Sequence, residues 1–209
     1  MNGSKRLLIL SGLFTALMVL GARIKIPLTF IPITLQPFFV LLSGILLGPV
    51  YGAASQLAYL FLGLIGFPVF SNGGGLAYIL QPSFGYLLGF PLASFIAGMI
   101  VHRGFSLSKV LPSVSVTRLI FANLAALLVI FIPGVLYLWF NLNFIVDKSL
   151  SFNGALYGGF LVFLPGDVIK MIGAILLYRA LQPRLTFSTN IPTEQTATPS
   201  MARTESRFD

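Results

Sequence analysis

The sequence has no cysteine, one histidine and only five acidic residues among its 209 residues. The missing cysteine excludes disulfides, thiolate-bound zinc, iron–sulfur clusters and thiol nucleophiles. Charged residues of both signs make up 9% of the chain, about a third of the roughly 25% that soluble domains carry. So small a polar fraction cannot cover the surface of a water-soluble globule, and the sequence therefore predicts a protein embedded in a membrane.

Apolar sequence is abundant, since 56% of the residues are hydrophobic and the mean hydropathy is +0.94. A membrane-spanning helix needs about 20 mainly apolar residues. Runs that meet or approach this length predict an all-α, polytopic bundle of six transmembrane helices at about residues 7–22, 36–48, 50–66, 84–101, 117–138 and 160–181. Only Gly48 and Pro49 separate the second run from the third, so these two helices should form a tight hairpin.

The region before the last predicted helix is rich in glycine. We interpret residues 153–164 as a short re-entrant or interfacial segment. Pro165 then suits the first turn of the last helix, where its missing N–H costs nothing. Residues 1–181 are expected to form one transmembrane domain, and residues 182–209, rich in Ser, Thr, Pro and charge, are expected to form a disordered cytoplasmic tail.

Basic residues are distributed unevenly between the two ends of the predicted helices. With the N-terminus inside, nine lie on the cytoplasmic side, namely Lys5, Arg6, Arg103, Lys109, Arg118, Arg179, Arg184, Arg203 and Arg207. Three lie outside, namely Arg23, Lys25 and Lys148. This asymmetry predicts a multi-pass protein of the cell membrane with both termini cytoplasmic, and it fits anionic lipid heads rather than nucleic acid. Alternatively, the first run is a cleaved signal peptide, because Lys5 and Arg6 precede an apolar core.

Asp167 is the only acidic residue inside a predicted span. An ionisable side chain in lipid is costly and usually faces a pathway or a partner. Lys170 follows three residues later and lies on the same helix face. The pair is either a self-neutralising structural ion pair or part of a polar pocket that opens outward at a helix N-terminus. Both charges should lie in the outer half of the bilayer, within reach of an external ligand.

The third loop carries neutral polar residues around a triple glycine at residues 73–75. Asn72, Gln81 and Tyr86 are donors and acceptors of the kind that orient a small ligand in a mostly apolar pocket. The alternative is a flexible outer loop. Thr34 and Gln36 in the first loop offer similar groups, although a polar residue at the start of a helix is more often a cap.

Other positions have mainly structural interpretations. Gly12 and Ala16 form a small-xxx-small pair, which favours packing inside the bundle and alternatively a docking face for a membrane partner. His102, at a cytoplasmic helix end, is expected to be a solvated loop residue. Tyr137 and Trp139 are expected to anchor the fifth span at the outer interface.

An enzymatic function has little support in this sequence. A single histidine, no cysteine and no Gly-x-Ser-x-Gly exclude the usual histidine- and thiol-based catalytic sites. Asp167 has no second acid inside a predicted span with which to form an aspartyl dyad. Because no nucleotide-binding motif is present, uptake powered by ATP would need separate subunits. No metal and no cofactor are expected.

Ordered blocks of the sequence resemble the BioY family of biotin transporters. They comprise residues 26–36 (Ile-Pro to Pro-Ile-Thr-Leu-Gln), 41–49 (Leu-Leu-Ser-Gly to Leu-Gly-Pro), 63–70 (Gly-Leu-Ile-Gly-Phe-Pro-Val-Phe), 85–91 (Gly-Tyr-Leu-Leu-Gly-Phe-Pro) and 165–170 (Pro-Gly-Asp-Val-Ile-Lys). The similarity covers about residues 7–181. It implies the substrate-binding S component of an energy-coupling factor transporter, with six helices, a biotin pocket on the outer side and no ATPase of its own.

The resemblance also implies partners and residue roles. A transmembrane T component and two cytoplasmic ATPases would be the partners, docked on the small residues Gly12 and Ala16 of the first helix. Asp167 could accept a hydrogen bond from the ureido group of biotin, and Lys170 could pair with its carboxylate. The remaining positions would be filled by Asn72, Gln81 and Tyr86, with Phe70 and Phe84 packed on the rings.

Biotin's polar ends are farther apart than two side chains one helical turn apart. Either Lys170 therefore swings away from Asp167, or both charges serve one end of the ligand. Two other functions remain open: an S component for a different small vitamin or metabolite, and a channel or structural membrane protein in which Asp167 and Lys170 form a buried structural pair.

Overall fold

The computed structural model describes residues 3–28, 30–103 and 112–186. Six α-helices and four short elements follow one another in the described residues: α1 Gly3–Arg23, β1 Lys25–Ile26, β2 Ile33–Thr34, α2 Gln36–Leu64, a 3₁₀ helix Leu76–Leu80, α3 Phe84–His102, α4 Val116–Phe144, α5 Phe152–Leu156, a π-helical turn Tyr157–Leu161 and α6 Leu164–Thr186. In the described part of the chain, five stretches are long and apolar enough to cross a membrane: Lys5–Arg23, Gln36–Leu64, Phe84–His102, Val116–Phe144 and Phe152–Pro183.

The α2 stretch folds back on itself at Gly48, which has φ 78° and ψ 179°. Side chains that a straight helix would hold far apart are in contact, since Gln56 Nε2 donates to Ser43 Oγ at 3.0 Å. The predicted tight hairpin at Gly48 and Pro49 is therefore confirmed. The stretch has 29 residues in all, so neither arm reaches the length of about 20 that a full span takes. Six spans are counted only if these two arms are counted separately.

Several predicted helix ends were wrong. The fifth predicted helix continues past residue 138 to Phe144, and its last turns carry Asn141 and Asn143, whose amides donate to the backbone carbonyls of Leu80 and Leu150. The last helix begins at Leu164, four residues later than predicted, and continues to Thr186.

Two further boundaries need correction near the C-terminus. Residues 153–164 are not a separate re-entrant segment: they form most of α5 and the π-helical turn, which lead into α6, with Ser151 Oγ accepting from the amide of Gly154 at the start. Residues 182–186, assigned to the tail, are helical, and the rest of the predicted disordered tail lies outside the described residues.

Small residues let α3 lie directly against both neighbours. A Cβ atom at Gly89 would come within 2.9 Å of the backbone of α4 at Ile130. On the other side, a Cβ atom at Gly98 would overlap the backbone of Pro49, and one at Gly52 would come within 2.6 Å of Ser94 Oγ. Close approach at small residues is the usual way in which helices associate in lipid, where no hydrophobic effect drives them together.

Hydroxyl groups join α1 and α3 to the α2 hairpin. Ser11 Oγ and Thr15 Oγ1 donate to the carbonyls of Tyr51 and Ser55 at 3.0 and 2.9 Å. Ser43 Oγ lies 2.9 Å from Ser94 Oγ of α3. Each of these hydroxyls thus has a partner, as a polar group away from water requires.

His102 is not the solvated loop residue that the sequence predicts. It is the last residue of α3, half-buried, and its Nε2 lies 3.1 Å from the carbonyl oxygen of Ile45. The ring also lies beside Gly48. The turn at Gly48 ends the first arm of α2, so its last carbonyls lack helical partners, and the imidazole meets one of them.

Gly12 and Ala16 lie on an exposed face of α1. Among the described residues, no heavy atom lies within 4 Å of a Cβ atom built on Gly12. The favoured interpretation, packing inside the bundle, was therefore wrong, and the alternative of an external docking face stays open. The Tyr137 hydroxyl donates to the carbonyl of Ile79, and Trp139 packs edge-on against Phe152; their anchoring at a membrane interface stays a prediction.

We predict that Gly48→Ala destabilises the protein. The backbone at Gly48 lies in a region that only glycine adopts readily, and a residue with a Cβ atom there costs about 1–3 kcal/mol. The measurement is the thermal unfolding midpoint in detergent. Gly12→Ala is the matched control, because it adds the same methyl group on an exposed helix face and should not lower the midpoint. Equal midpoints for the two variants would contradict the assigned turn.

Candidate ligand-binding site

The start of α6 places a carboxylate and an ammonium side by side. Asp167 lies in the first turn, and Lys170 follows one turn later. Lys170 Nζ donates to Asp167 Oδ1 at 2.7 Å. Asp167 is 1% exposed and Lys170 9%, so the ion pair is almost completely withdrawn from solvent. The predicted proximity of these two charges is confirmed.

The second carboxylate oxygen of Asp167 is unsatisfied. Oδ2 is buried and has no hydrogen-bond partner among the described residues. Buried oxygens of this kind are rare and need an explanation, above all on a charged group. Other buried polar atoms without described partners belong to Gln56, Asn123 and Asn141, but none of these three residues lines the cavity around Asp167. Oδ2 of Asp167 is therefore the unpaired acceptor to which a molecule in the cavity could donate a hydrogen bond.

The cavity lies between the N-terminal ends of α2 and α6, the N-terminal half of α3, the middle of α4, and the first and third loops. About 40 Å³ of it is accessible to the centre of a water-sized molecule, so the cavity is narrow. Its apolar lining comprises Ile31, Pro32, Pro37, Leu87, Phe90, Ile130, Phe131 and Phe163. Its polar lining comprises Thr34, Gln36, Ser71, Ser83, Tyr86, Asp167 and Lys170.

A hydrogen-bond chain holds Gln36 in the wall of the cavity. Thr34 Oγ1 donates to Gln36 Oε1 at 3.1 Å, and Gln36 Nε2 donates to the Tyr59 hydroxyl at 2.8 Å. The Tyr59 hydroxyl in turn donates to the carbonyl of Val69 at 3.0 Å. The chain joins the first loop, α2 and the third loop, so Thr34 and Gln36 connect these segments and do not cap α2, whose N-cap is Leu35.

A second chain connects hydroxyl groups of the third loop. The Tyr78 hydroxyl lies 2.9 Å from Ser71 Oγ and 3.3 Å from Ser83 Oγ. Three hydroxyl groups carry three protons, and two hydrogen bonds within the chain use two of them. One proton therefore remains, and it can reach an acceptor in the cavity when Ser71 or Ser83, which line the cavity, carries it.

The structure separates the loop residues predicted as ligand contacts. Tyr86 lines the cavity, whereas Asn72 and Gln81 are exposed and lie outside its lining. Asn72 Oδ1 instead accepts from Lys25 Nζ at 2.9 Å. The neighbours Ser71 and Ser83 take the positions that Asn72 and Gln81 were expected to occupy.

The aromatic residues of the cavity also differ from those predicted. Phe70 packs against the rings of Tyr59 and Tyr78, and Phe84 packs against Tyr137. Neither phenylalanine lines the cavity.

The aromatic residues that line the cavity are instead Phe90, Phe131 and Phe163, besides Tyr86. Two of them had a signal in the sequence, because Phe90 lies one helical turn after Tyr86 and Phe163 lies one turn before Asp167.

Comparison with known proteins supports a relation over nearly the whole described chain. A sequence model of the BioY family matches residues 1–187. The chain belongs to the BioY family. Its membership and its five long apolar helices make it a multi-pass membrane protein of a transporter family.

Individual BioY relatives are similar over most of their length. The chain is 40% identical to the probable biotin transporter BioY of Lysinibacillus sphaericus, over 83% of this chain and 85% of that one. It is also 40% identical to the biotin transporter BioY of Thermotoga maritima, over 82% and 93%. A crystal structure of the S-component for biotin from an ECF-type ABC transporter superposes with a TM-score of 0.75 at 31% identity, covering 88% of this chain and 94% of that one.

We predict that breaking the buried pair costs more stability than removing it. Lys170→Leu leaves the carboxylate of Asp167 buried without its partner, which typically costs about 3–5 kcal/mol. The double replacement Asp167→Leu with Lys170→Leu removes both charges and should restore most of that loss. Thermal unfolding in detergent measures both, and a double variant as unstable as the single one would contradict the prediction.

Proposed function

We propose that this protein is the biotin-binding S component of an energy-coupling factor transporter and acts in biotin uptake. The observation that carries the proposal is the unsatisfied Oδ2 of Asp167 at a cavity with an aromatic lining. A family that includes proteins named biotin transporters, and the superposition on an S-component for biotin, support the choice of ligand.

The ion pair can serve the ureido group of biotin as a unit. A ureido group presents an N–H beside a carbonyl oxygen, so it offers one donor and one acceptor at adjacent atoms. Asp167 Oδ2 accepts from the N–H, and Lys170 Nζ, which spends one proton on Asp167 Oδ1, has two left for the carbonyl oxygen. The 2.7 Å contact between the two side chains favours this arrangement over a lysine that swings away.

The other lining residues match the rings, the aliphatic chain and the carboxylate of biotin. The fused rings and the aliphatic chain are apolar and fit the surface formed by Phe90, Phe131 and Phe163. The carboxylate is an acceptor, and the hydroxyl chain of Ser71, Tyr78 and Ser83 has one proton to donate. No second cation is needed to hold it.

Transport itself needs partners, because binding alone moves nothing across a membrane. A transmembrane T component and two cytoplasmic ATPases fit a chain without a nucleotide-binding motif. The exposed small residues Gly12 and Ala16 on α1 leave room for a close helix–helix contact with such a partner. The excess of basic residues at the predicted inner helix ends supports a cell-membrane location with both termini in the cytoplasm.

We predict that purified protein binds biotin and that Asp167→Asn weakens the binding about 10- to 150-fold. This range corresponds to the loss of one hydrogen bond to a charged group, about 1.5–3 kcal/mol. Isothermal titration calorimetry gives the dissociation constants, and size-exclusion chromatography checks folding. Asn72→Ala and Gln81→Ala are matched controls from the exposed part of the third loop and should bind as the parent does.

Failure of a well-folded parent to bind biotin would contradict the proposed ligand. A screen of other vitamins would then distinguish an S component for another small molecule from a membrane protein in which the pair is structural. Equal binding by the parent and by Asp167→Asn would leave biotin in place but remove Asp167 from its site.

We predict that Lys170→Met weakens the binding of biotin and of biotin amide by the same factor. The amide keeps the ureido group but has no carboxylate charge, so a lysine that serves the ureido end does not distinguish the two ligands. Titration of biotin and of biotin amide into the parent and into Lys170→Met gives the four dissociation constants of a double-mutant-type cycle. A substantially greater loss for biotin than for the amide would show that Lys170 pairs with the carboxylate.

A further inference from the structure

The hydroxyl of Tyr86 is already engaged by the protein backbone. It donates to the carbonyl of Gly159 at 2.8 Å, joining α3 to the π-helical turn that precedes α6. Tyr86 lines the cavity, yet it is only 7% exposed. A phenolic hydroxyl has a single proton to donate. The group that the sequence offers as a ligand donor is therefore used inside the protein.

The π-helical turn makes the carbonyl of Gly159 accessible to this donor. In a regular α-helix, that carbonyl would accept from the amide four residues later, Phe163. Here the amide of Phe163 donates to Phe160 at 3.0 Å, and the amide of Val162 donates to Tyr157 at 3.2 Å, five residues back. The wider turn leaves the Gly159 carbonyl for another donor, and π-helical turns are frequent at functional sites.

Glycines on both sides hold the ring of Tyr86 in place. A Cβ atom at Gly159 would come within 2.6 Å of the hydroxyl, and one at Gly134 would overlap the ring. The ring of Phe163 stacks on the other face, with centroids 6.4 Å apart and 26° between the planes. The tyrosine thus touches the π-helical turn, α4 and the residue just before α6 at the same time.

The same turn determines where the ion pair lies. The amide of Asp167 donates to the carbonyl of Phe163 at 3.0 Å, so the first turn of α6 is built on the residue that stacks on Tyr86. We propose that Tyr86 is a positioning residue: its hydroxyl holds the π-helical turn in the register that presents Asp167 and Lys170 to the cavity, and it does not contact the ligand. This inference rests on the proposed binding function and adds a role to that site.

Hydrogen–deuterium exchange of the full chain in detergent, without ligand, tests this role directly. Tyr86→Phe should speed exchange in peptides that cover residues 157–167 about 2- to 12-fold, the factor that corresponds to one net intramolecular hydrogen bond. Biotin binding should weaken by a similar factor. Tyr178→Phe is the matched control, because its hydroxyl also donates to a backbone carbonyl, that of Pro112 at 2.7 Å, but far along α6. It should change neither readout.

A reciprocal substitution adds a rescue. Gly159→Ala introduces a methyl group that meets the Tyr86 hydroxyl at 2.6 Å and Leu138 Cδ2 at 2.7 Å, so it should weaken biotin binding, and only the part of the loss due to Tyr86 can be rescued. In the Tyr86→Phe background, that hydroxyl is absent, and the further loss caused by Gly159→Ala should be smaller than in the parent.

Three results would overturn the positioning role. Weaker binding by Tyr86→Phe with unchanged exchange would mean that the hydroxyl contacts the ligand itself. Faster exchange with unchanged binding would mean that the turn does not determine the geometry of the site. No change in exchange or in binding would mean that the hydrogen bond contributes to neither. If the parent binds no biotin, the proposed function fails, whereas the exchange comparison still decides whether Tyr86 holds the turn.

Discussion

One buried ion pair constrains the half of this protein that contains the cavity. A lone charge in the middle of a membrane helix costs at least about 2.5–3.5 kcal/mol, so Asp167 and Lys170 are tolerable only together and only away from lipid. Their 2.7 Å contact requires both to lie on one face of α6. The aromatic residues of α3 and α4 and the first and third loops enclose that face. The N-terminal end of a helix also favours the carboxylate over any neutral group.

The ion pair has a polar requirement that the bundle does not meet by itself. Among the described residues, one carboxylate oxygen and two ammonium protons have no partner, while most of the neighbouring hydroxyl and amide groups bond to one another. A site with leftover donors and acceptors beside an apolar surface is poised for a ligand with the same combination. Without a ligand, the two residues still neutralise each other's charge.

The sequence predicts the ion pair and the hairpin because both depend on local spacing. A carboxylate in an apolar run is conspicuous, and Lys170 three residues later must share its helix face. Gly48 and Pro49 interrupt a helix because of their own backbone properties, without contacts from distant residues. The family resemblance of the ordered blocks likewise needs no knowledge of packing.

The remaining site residues depend on contacts between distant segments. Ser71 lines the cavity, whereas the amide oxygen of Asn72 accepts from Lys25 of strand β1, a distant segment, outside it. Phe131 lines the cavity because of how α4 packs against α3 at Gly89, a contact between distant segments that no local pattern reveals. His102 was misjudged for the same reason, since its partner is a carbonyl of the α2 hairpin.

The hairpin of α2 has an evolutionary consequence as well as a structural one. Its arms turn at a single glycine and then face each other, so that Gln36 meets Tyr59 and Ser43 meets Gln56. Inserting or deleting one residue in either arm would shift every facing pair beyond it and rotate the altered arm by about 100°. The length of this stretch is therefore fixed by pairing, and facing residues should change together across related sequences, as bases do in the stem of a folded RNA.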